Sequence, residues 1–280
     1  MKMLAPVNKI IPFSNVDGPH NRTSIFFQSC NFNCLYCHNP ETINYCGHCG
    51  ECIKTCPTKA LSKINGKVVW NPELCCGCDT CIKTCKNNSS PKITYMSVAD
   101  VIEKIKETRP YIKGITTSGG ECTLQKDFLI ELFNEVHKLG LTCFVDSNGS
   151  IDFETEKELT NSLDMVMLDV KAFDKDFHHK LCSFDNSLVI KNLKYLLSIN
   201  KLYEVRTVCI PGYDEQNRKT ISEVSKIIQD KCIYKIIKYR PFGVREKNIP
   251  LLSSDELDDN LAQEYVKFAQ SLGAINAKII

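Results

Sequence analysis

The chain reads CNFNCLYC from residue 30 to residue 37, so Cys30, Cys34 and Cys37 lie close together with no fourth cysteine nearby. Three thiolates on a four-iron cluster leave one iron open, and an open metal position is what separates a catalytic site from a structural one. A predicted strand at residues 22–28 precedes the stretch, so a loop after that strand would present it at the mouth of a barrel. The spacing therefore predicts an iron–sulfur site that carries out chemistry.

The rest of the chain beyond residue 92 alternates apolar runs with helical periods. The predicted strands are residues 22–28, 113–118, 141–147, 165–172, 203–211 and 235–240. The predicted helices are residues 98–108, 128–139, 154–163, 187–200, 220–230 and 255–272. Six strands that alternate with helices favour an α/β fold with a parallel sheet, either open or curled into a partial barrel.

Residues 39–91 interrupt this alternation and form a duplicated insert that is rich in Cys, Gly, Lys and Pro. Each half has the spacing C-x2-C-x2-C-x3-C of bacterial two-cluster ferredoxins, in which the fourth cysteine of each half binds the other half's cluster. The predicted ligands are Cys46, Cys49, Cys52 and Cys85 for one cluster, and Cys75, Cys78, Cys81 and Cys56 for the other. Zinc is the alternative, but zinc ribbons use two separated cysteine pairs. The spacing selects Cys75 over its neighbour Cys76 without settling the choice.

Composition narrows the class of protein. Twelve of the seventeen cysteines fall between Cys30 and Cys85, and the net charge of +2 gives no sign of binding to nucleic acid or to an anionic membrane. The sequence has no run of 18 apolar residues and no secretory signal pattern, so we expect no membrane span and a cytoplasmic location. Thiols in the cytoplasm more often bind metal than form disulfides.

The first cysteine motif, with Tyr36 before its third cysteine, resembles the signature of the radical S-adenosylmethionine (SAM) superfamily. The resemblance implies a partial (β/α)6 barrel made of residues 1–38 and 92–280, with residues 39–91 as an inserted ferredoxin domain holding two 4Fe–4S clusters. In the family the open iron chelates the methionine part of SAM, and an electron from the cluster breaks the S–C5′ bond. The 5′-deoxyadenosyl radical then takes a hydrogen atom from the substrate.

Further motifs resemble one branch of that superfamily, the glycyl-radical-enzyme activases. They are residues 16–19, which read VDGP and are followed by Arg22, and residues 37–40, which read CHNP. The strings nearby look closest to the YjjW type of activase. The resemblance implies an anaerobic enzyme that abstracts a Cα hydrogen from a glycine of a partner glycyl radical enzyme, with a flavodoxin- or ferredoxin-type electron donor. It also makes Asp17 part of a rim where the partner docks.

The same resemblance implies roles for individual residues. Cys30, Cys34, Cys37 and Lys171 would be catalytic, with Lys171 meeting the methionyl carboxylate of SAM. The other residues implied to bind cofactor are Tyr36, Ser118, Gly119, Gly120, Glu121, Asp146, Ser147, Met167, Asp169, Arg206 and Arg240. Among these, Asp146, Ser147, Met167 and Asp169 would line a site for Na⁺ or K⁺ beside SAM.

Two other functions compete with the activase. One is a radical SAM enzyme that acts on a small molecule, although little sequence remains for a domain that caps such a substrate. The other is a non-catalytic electron-transfer protein, in which the three-cysteine site would have no purpose. We interpret the six remaining cysteines, Cys182 among them, as buried structural thiols. The pair His178 and His179 is interpreted as a solvated helix end.

Overall fold

The computed structural model describes residues 3–280, which fold around a sheet of nine strands. Two further strands form a separate hairpin, β3 (Leu61–Ile64) and β4 (Lys67–Trp70). The strands of the large sheet are β1 (Ala5–Ser14), β2 (Arg22–Phe27), β5 (Thr94–Met96), β6 (Gly114–Gly119), β7 (Thr142–Ser147), β8 (Met165–Asp169), β9 (Leu202–Cys209), β10 (Ile233–Lys238) and β11 (Ala277–Ile279). The sheet order is β11-β10-β9-β8-β7-β6-β2-β1-β5. From β11 to β2 every neighbouring pair is parallel, whereas β1 is antiparallel to both β2 and β5.

The insert contains two short helices, α1 (Glu51–Thr55) and α2 (Thr80–Thr84), which pack on each other. The other helices flank the sheet and bury their apolar faces against it: α3 (Val98–Thr108), α4 (Lys126–Lys138), α5 (Lys157–Ser162), α6 (Lys175–Cys182), α7 (Ser187–Ser198), α8 (Asp214–Ile228) and α9 (Asp259–Ser271). Helix α3 begins at the predicted capping box, in which Ser97 and Asp100 bond each other's backbone N–H groups. One continuous apolar core, with Ile105, Leu132 and Leu193 fully buried, joins these helices to the sheet.

The parallel part of the sheet is curled. Cys30, just after β2, and Ile237, on β10, line the same cavity although four strands separate β2 from β10 in the sheet order. The carboxyl ends of the parallel strands therefore face a shared space, as in barrel enzymes.

The insert between the first parallel strand and α3 has a small core of its own. Strands β3 and β4 form a hairpin whose turn, Asn65-Gly66, has positive φ at both residues, which is the turn that a two-residue hairpin prefers. The buried residues of this core are Cys52, Leu61, Val68 and Cys81. Two of these four are cysteines, so this region buries little hydrocarbon.

The predicted alternation of strands and helices is confirmed, with element ends that differ by a few residues. Strands β1, β3, β4, β5 and β11 and helices α1, α2 and α6 were not predicted. Strand β1 contains Pro6 and Pro12, and proline in general argues against a strand. Because β5 pairs only with Ala5–Val7 of β1, the rest of β1 is an edge strand, where Pro12 is tolerated. Among residues 3–280, no helix combines the length and the apolar character that crossing a membrane requires.

Candidate active site

The loop that carries the three-cysteine motif is fastened to the barrel on several sides. The Asn33 and Leu35 N–H groups donate to the last carbonyls of α6, at Cys182 (3.0 Å) and Leu181 (2.8 Å). From the opposite side, Arg245 donates to the side chain of Asn33 (2.7 Å) and to the Cys34 carbonyl (2.8 Å). These hydrogen bonds fix the backbone of the loop that carries the three thiols.

These thiols line a cavity of about 280 Å³ at the carboxyl ends of the parallel strands. It brings together all but three of the residues predicted for the site: Cys30, Cys34, Tyr36, Cys37, Ser118, Gly119, Gly120, Asp146, Ser147, Asp169, Lys171 and Arg206. His38, Asn39 and Asn148 also line it. Glu121, Met167 and Arg240 are not among the lining residues.

The two glycines after β6 are required by the chain itself. A Cβ on Gly119 would lie 2.3 Å from the Phe27 nitrogen, and one on Gly120 would lie 2.1 Å from the Ser29 carbonyl oxygen. Gly119 also has φ of +119°, which side chains rarely adopt. The close approach that we predicted for a ligand is therefore already made by the backbone of β2 and its following loop.

Glu121 is a buried clamp and does not face the cavity. Its Oε1 accepts from the Ser147 hydroxyl (2.9 Å) and the Thr123 hydroxyl (2.7 Å), and its Oε2 accepts from the Asn148 N–H (2.7 Å). Burial raises the pKa of Glu121, and these hydrogen bonds oppose the rise. Glu121 thus joins the loops after β6 and β7. The predicted contact between Glu121 and a cofactor is wrong, and Glu121 instead holds the two loops that line the cavity in place.

A charged wall faces the thiols across the cavity. Arg206 pairs with Asp146 (2.9 Å) and with the fully buried Glu204 (2.6 Å), and Ser118 donates to the second oxygen of Asp146 (3.0 Å). Burial raises the pKa of Asp146, although the positive charge of Arg206 works against that rise. Met167 lies behind this wall, fully buried, with its sulfur 3.1 Å from a guanidinium nitrogen of Arg206.

Lys171 provides the second cation of the site. Its Nζ lies 2.7 Å from an oxygen of Asp169 and 5.9 Å from the centre of the Tyr36 ring. Burial alone would lower the pKa of Lys171, but Asp169 and the groups of Cys34 and Tyr36 outweigh it and raise that pKa well above its usual value. The ammonium is therefore charged and directed into the cavity.

Arg240 lies on the exposed surface, and the structure does not support its predicted contact with cofactor. Its carbonyl accepts from Nε2 of His38 at 3.0 Å, so His38 carries its proton on that nitrogen and braces the rim.

Asp17 lies below the cavity, because it bonds to the hydroxyls of Ser14 (2.6 Å) and Ser24 (2.8 Å) and accepts from Thr116 (2.5 Å). Ser24 pairs with Thr116 in the middle of β2 and β6, one layer before the strand ends that face the cavity. Asp17 does not line the cavity, so its predicted place on a docking rim has no support in this geometry.

Helix α6 supplies contacts that sequence reasoning missed. Cys182 is fully buried, and its hydrogen bond to Cys34 lowers the pKa of Cys34 to about 7. His178 is also fully buried, so only His179 fits the predicted solvated helix end. The Asp174 side chain caps the helix by accepting from the Phe177 N–H, which is a signal that the sequence carries.

The insert gathers cysteines from both of its halves. One small cavity is lined by Cys56 from the first half and by Cys75, Cys76, Cys78 and Cys81 from the second. Cys46 packs beside Cys52 in the insert core, and burial raises the pKa of Cys52 to about 11. The Cys85 sulfur lies 3.3 Å from the Ser89 hydroxyl. Cys75 and Cys76 both lie at the cavity, so the choice between them stays open, but Cys76 is exposed and the interpretation of it as a buried structural thiol is wrong.

Two buried polar atoms without partners show what these cavities suit. The Tyr36 hydroxyl at the barrel cavity and the Trp70 indole N–H at the insert cavity have no hydrogen-bond partner within the protein. A buried polar group without a partner is costly, so each cavity is fitted to a group that offers one. Thiols together with such donors suit iron–sulfur clusters.

A single metal ion fits the insert less well. Within residues 3–280, the one set of three or more ligand atoms close enough to share an ion is His137, Cys143 and Asp164, which lies elsewhere. The insert sulfurs are spaced more widely than one zinc ion requires.

Comparison with known proteins places this geometry in a family. The model of the "Radical SAM superfamily" matches residues 24–224. A "Putative glycyl-radical enzyme activating enzyme" of Haemophilus influenzae is 29% identical over 88% of this chain and 86% of its own. The "Trans-4-hydroxy-L-proline dehydratase activating enzyme" of Clostridioides difficile is 31% identical over 76% of this chain and 75% of its own. Among solved structures, SuiB of Streptococcus suis bound to its precursor peptide superposes with a TM-score of 0.58 over 90% of this chain and 47% of SuiB, at 12% identity, and supports the fold alone.

Proposed function

This chain belongs to the radical SAM superfamily and, within it, to the glycyl-radical-enzyme activating enzymes, and we propose that it installs a radical on a glycine of a partner glycyl radical enzyme. The observation that carries this proposal is the cavity in which three thiols face two cationic and two acidic side chains. The YjjW type remains our prediction for the subtype.

The cavity suits a ligand that has a positive and a negative group close together at the same end of the molecule. The methionine part of SAM has an ammonium and a carboxylate, and Lys171 can pair with that carboxylate through a charge-assisted hydrogen bond. Asp169 holds Lys171 in place, with 2.7 Å between its carboxylate oxygen and the lysine Nζ. The Tyr36 hydroxyl has no hydrogen-bond partner within the protein, so it can form a hydrogen bond with a ligand. In this arrangement Cys30, Cys34 and Cys37 would hold a 4Fe–4S cluster.

When bound, that cluster supplies one electron to the SAM sulfonium, which gives methionine and a 5′-deoxyadenosyl radical. The protein's part is to fix the geometry. The fastened loop holds the thiols, Lys171 orients the methionyl carboxylate, and the charged wall keeps the opposite side of the cavity polar. The partner's glycine loses its Cα hydrogen to the 5′-deoxyadenosyl radical, so that 5′-deoxyadenosine leaves and the unpaired electron stays on the glycine.

The monovalent cation implied by the resemblance fits less well. Arg206 lies 2.9 Å from one oxygen of Asp146, and Lys171 lies 2.7 Å from one oxygen of Asp169, so each carboxylate already has a positive partner. Each carboxylate still has free lone pairs, and a Na⁺ or K⁺ site at Asp146, Ser147, Met167 and Asp169 stays a prediction.

The insert, residues 39–91, would be a domain that holds two further 4Fe–4S clusters and passes electrons inward from a flavodoxin- or ferredoxin-type donor. The gathering of Cys56 with four cysteines of the second half, including the three predicted ligands Cys75, Cys78 and Cys81, supports the crossed ligand sets of two-cluster ferredoxins. The unpartnered Trp70 N–H at that cavity supports a group with acceptor sulfurs.

The experiment mixes the reduced protein, SAM and the candidate partner without oxygen. We expect a doublet electron paramagnetic resonance (EPR) signal on the partner, and deuterium in 5′-deoxyadenosine when the partner carries Cα-deuterated glycine. The Cys34→Ala variant should produce neither, because two thiolates hold a four-iron cluster poorly. Deuterium drawn from a small molecule, with none from the partner's glycine, would replace the activase with the small-molecule enzyme.

A further inference from the structure

Asn148 follows β7 and reaches across the cavity to a thiol of the three-cysteine motif. Its Nδ2 lies 3.7 Å from the Cys30 sulfur, within hydrogen-bonding reach of sulfur. Asn148 as a whole is only 5% exposed to solvent. Sequence reasoning assigned Asn148 no role.

The orientation of the Asn148 amide is fixed by its other contacts. Its Oδ1 accepts from the Ser150 N–H at 2.9 Å, and a backbone N–H can only donate. The nitrogen end must therefore face the cysteine loop. There one N–H donates to Asn31 Oδ1 at 3.2 Å, and the other is left for the Cys30 sulfur.

The backbone of Asn148 is held as firmly as its side chain. Its N–H donates to Oε2 of Glu121 at 2.7 Å, and Glu121 is itself 1% exposed and bonded to Ser147. A rigid path thus runs from the end of β6, through Glu121 and Asn148, to Cys30. These hydrogen bonds keep the distance between the Asn148 amide and the Cys30 sulfur constant.

We propose that Asn148 donates a hydrogen bond to the Cys30 thiolate when that thiolate binds the cluster, and thereby raises the cluster's reduction potential. A hydrogen bond draws electron density from sulfur and so favours the reduced state, which is one of the ways in which proteins set such potentials. Asn148 is a positioning residue that acts through Cys30. The inference rests on the cluster of the proposed function, but it does not depend on the partner.

The test compares Asn148→Ala and Asn148→Asp with the unmodified protein. Asn148→Asp keeps the shape and the acceptor for Ser150 but has no N–H to donate. The potential is read from the EPR signal that changes when SAM is added, since that signal belongs to the cluster with the open iron. We expect a more negative potential in both variants, with the larger shift in Asn148→Asp because it adds a negative charge.

Ser150→Ala is the matched control, because it removes a nearby hydroxyl but leaves the contact between Asn148 and Cys30. Its potential should equal that of the unmodified protein. Equal potentials in the two Asn148 variants and the unmodified protein would overturn the proposal.

A second measurement looks for the contact directly. The protein, labelled with ¹⁵N only in the side-chain amide of asparagine, should show a ¹⁵N coupling to the reduced cluster in pulsed EPR, and loss of that coupling in Asn148→Ala assigns it to Asn148 and not to Asn31, Asn33 or Asn39. The absence of that coupling contradicts the proposal even if an Asn148 variant fails to assemble its cluster. Neither reading involves the partner glycine, so failure of the activase function would leave both results interpretable.

Discussion

The barrel and the insert hold their cysteines in opposite ways. Around the barrel cavity, the loop of Cys34 is fixed by hydrogen bonds to α6 and Arg245, above a core that runs through the whole barrel. In the insert, the core has four buried residues, two of which are Cys52 and Cys81. The backbone of the barrel site is held by the protein's own packing and hydrogen bonds, whereas the insert buries little apolar area, so we expect its fold to depend on the proposed metal clusters.

The two regions also differ in how exposed their thiols are to solvent. Three thiols of the insert, Cys49, Cys76 and Cys78, are exposed although others there are buried, whereas none of the three thiols of the barrel site is exposed. A redox centre that is near the surface can meet an electron donor, and one that is enclosed protects a radical from water. The two regions therefore suit the two ends of an electron path.

The largest effect we expect is the loss of the insert's fold when its metal is lost. Replacing Cys52 and Cys81 together by serine removes one ligand from each predicted cluster and half of the insert core. About eight of about twelve irons should be absent. The amides of β3 and β4 should then exchange hydrogen as fast as in an unfolded chain, while those of β6 and β7 stay protected.

The matched control is Cys143→Ala, which removes a fully buried thiol from the barrel. This change leaves a small cavity in a large core and should cost stability without unfolding any region. If β3 and β4 stay protected in the double serine variant, the insert folds without metal and the contrast between the two regions fails.

Beyond the residues implied by the family resemblance, the cysteine spacing predicted which thiols lie together, because the sequence displays this spacing directly. It grouped Cys56 with the second half of the insert, and the structure gathers those residues around one cavity. The strand ends brought Asp146, Asp169 and Lys171 together as expected, since the ends of parallel strands share one edge of a sheet.

The remaining contacts depend on packing between distant segments. Nothing local marks Glu121 as a clamp, because its partners Ser147 and Asn148 lie more than 25 residues along the chain. Arg240 follows β10 but is exposed, and the direction of a loop side chain is not set by its position in sequence. The Asn65-Gly66 turn, in contrast, was a readable hairpin signal that we did not use.

A change in the barrel site should alter ligand binding and leave the fold intact. Lys171→Ala removes a charge-assisted contact to the SAM carboxylate worth about 1.5–3 kcal/mol, which raises the Kd roughly 10- to 150-fold. Anaerobic calorimetry with SAM measures this change. The control is Lys175→Ala, since that lysine is exposed and paired with Asp185 away from the cavity. An unchanged Kd in Lys171→Ala would show that the carboxylate binds elsewhere.

The smallest effect we expect is a dependence on pH that is confined to the barrel. His178 on α6 is buried against the Phe32 ring (5.7 Å between ring centres), and its Nδ1 donates to the Phe184 carbonyl at 2.8 Å. Its Nε2 has no partner, so a proton there would be buried without compensation. Burial lowers the pKa of His178 and the charge of Lys171 lowers it further, against the opposing effects of the hydrogen bond to Phe184 and the charge of Asp185.

A lowered folded pKa fixes the sign of the effect. The stability that His178 contributes is fully present above its unfolded pKa of about 6.5, and it is lost as the pH falls through the lower folded value. Between about pH 7.5 and about pH 5.5 the amides of α6 should therefore lose protection from hydrogen exchange in the unmodified protein.

Two variants test whether His178 causes this loss. His178→Gln stays neutral and can still donate to Phe184, so its α6 amides should lose less protection, whereas His179→Gln, at the exposed neighbour, should behave like the unmodified protein. Equal losses in His178→Gln and the unmodified protein would assign the acid sensitivity to other groups. Because α6 carries the carbonyls that hold the cysteine loop, a loss at His178 should be accompanied by faster exchange at Asn33 and Leu35 and not by changes in β3 and β4.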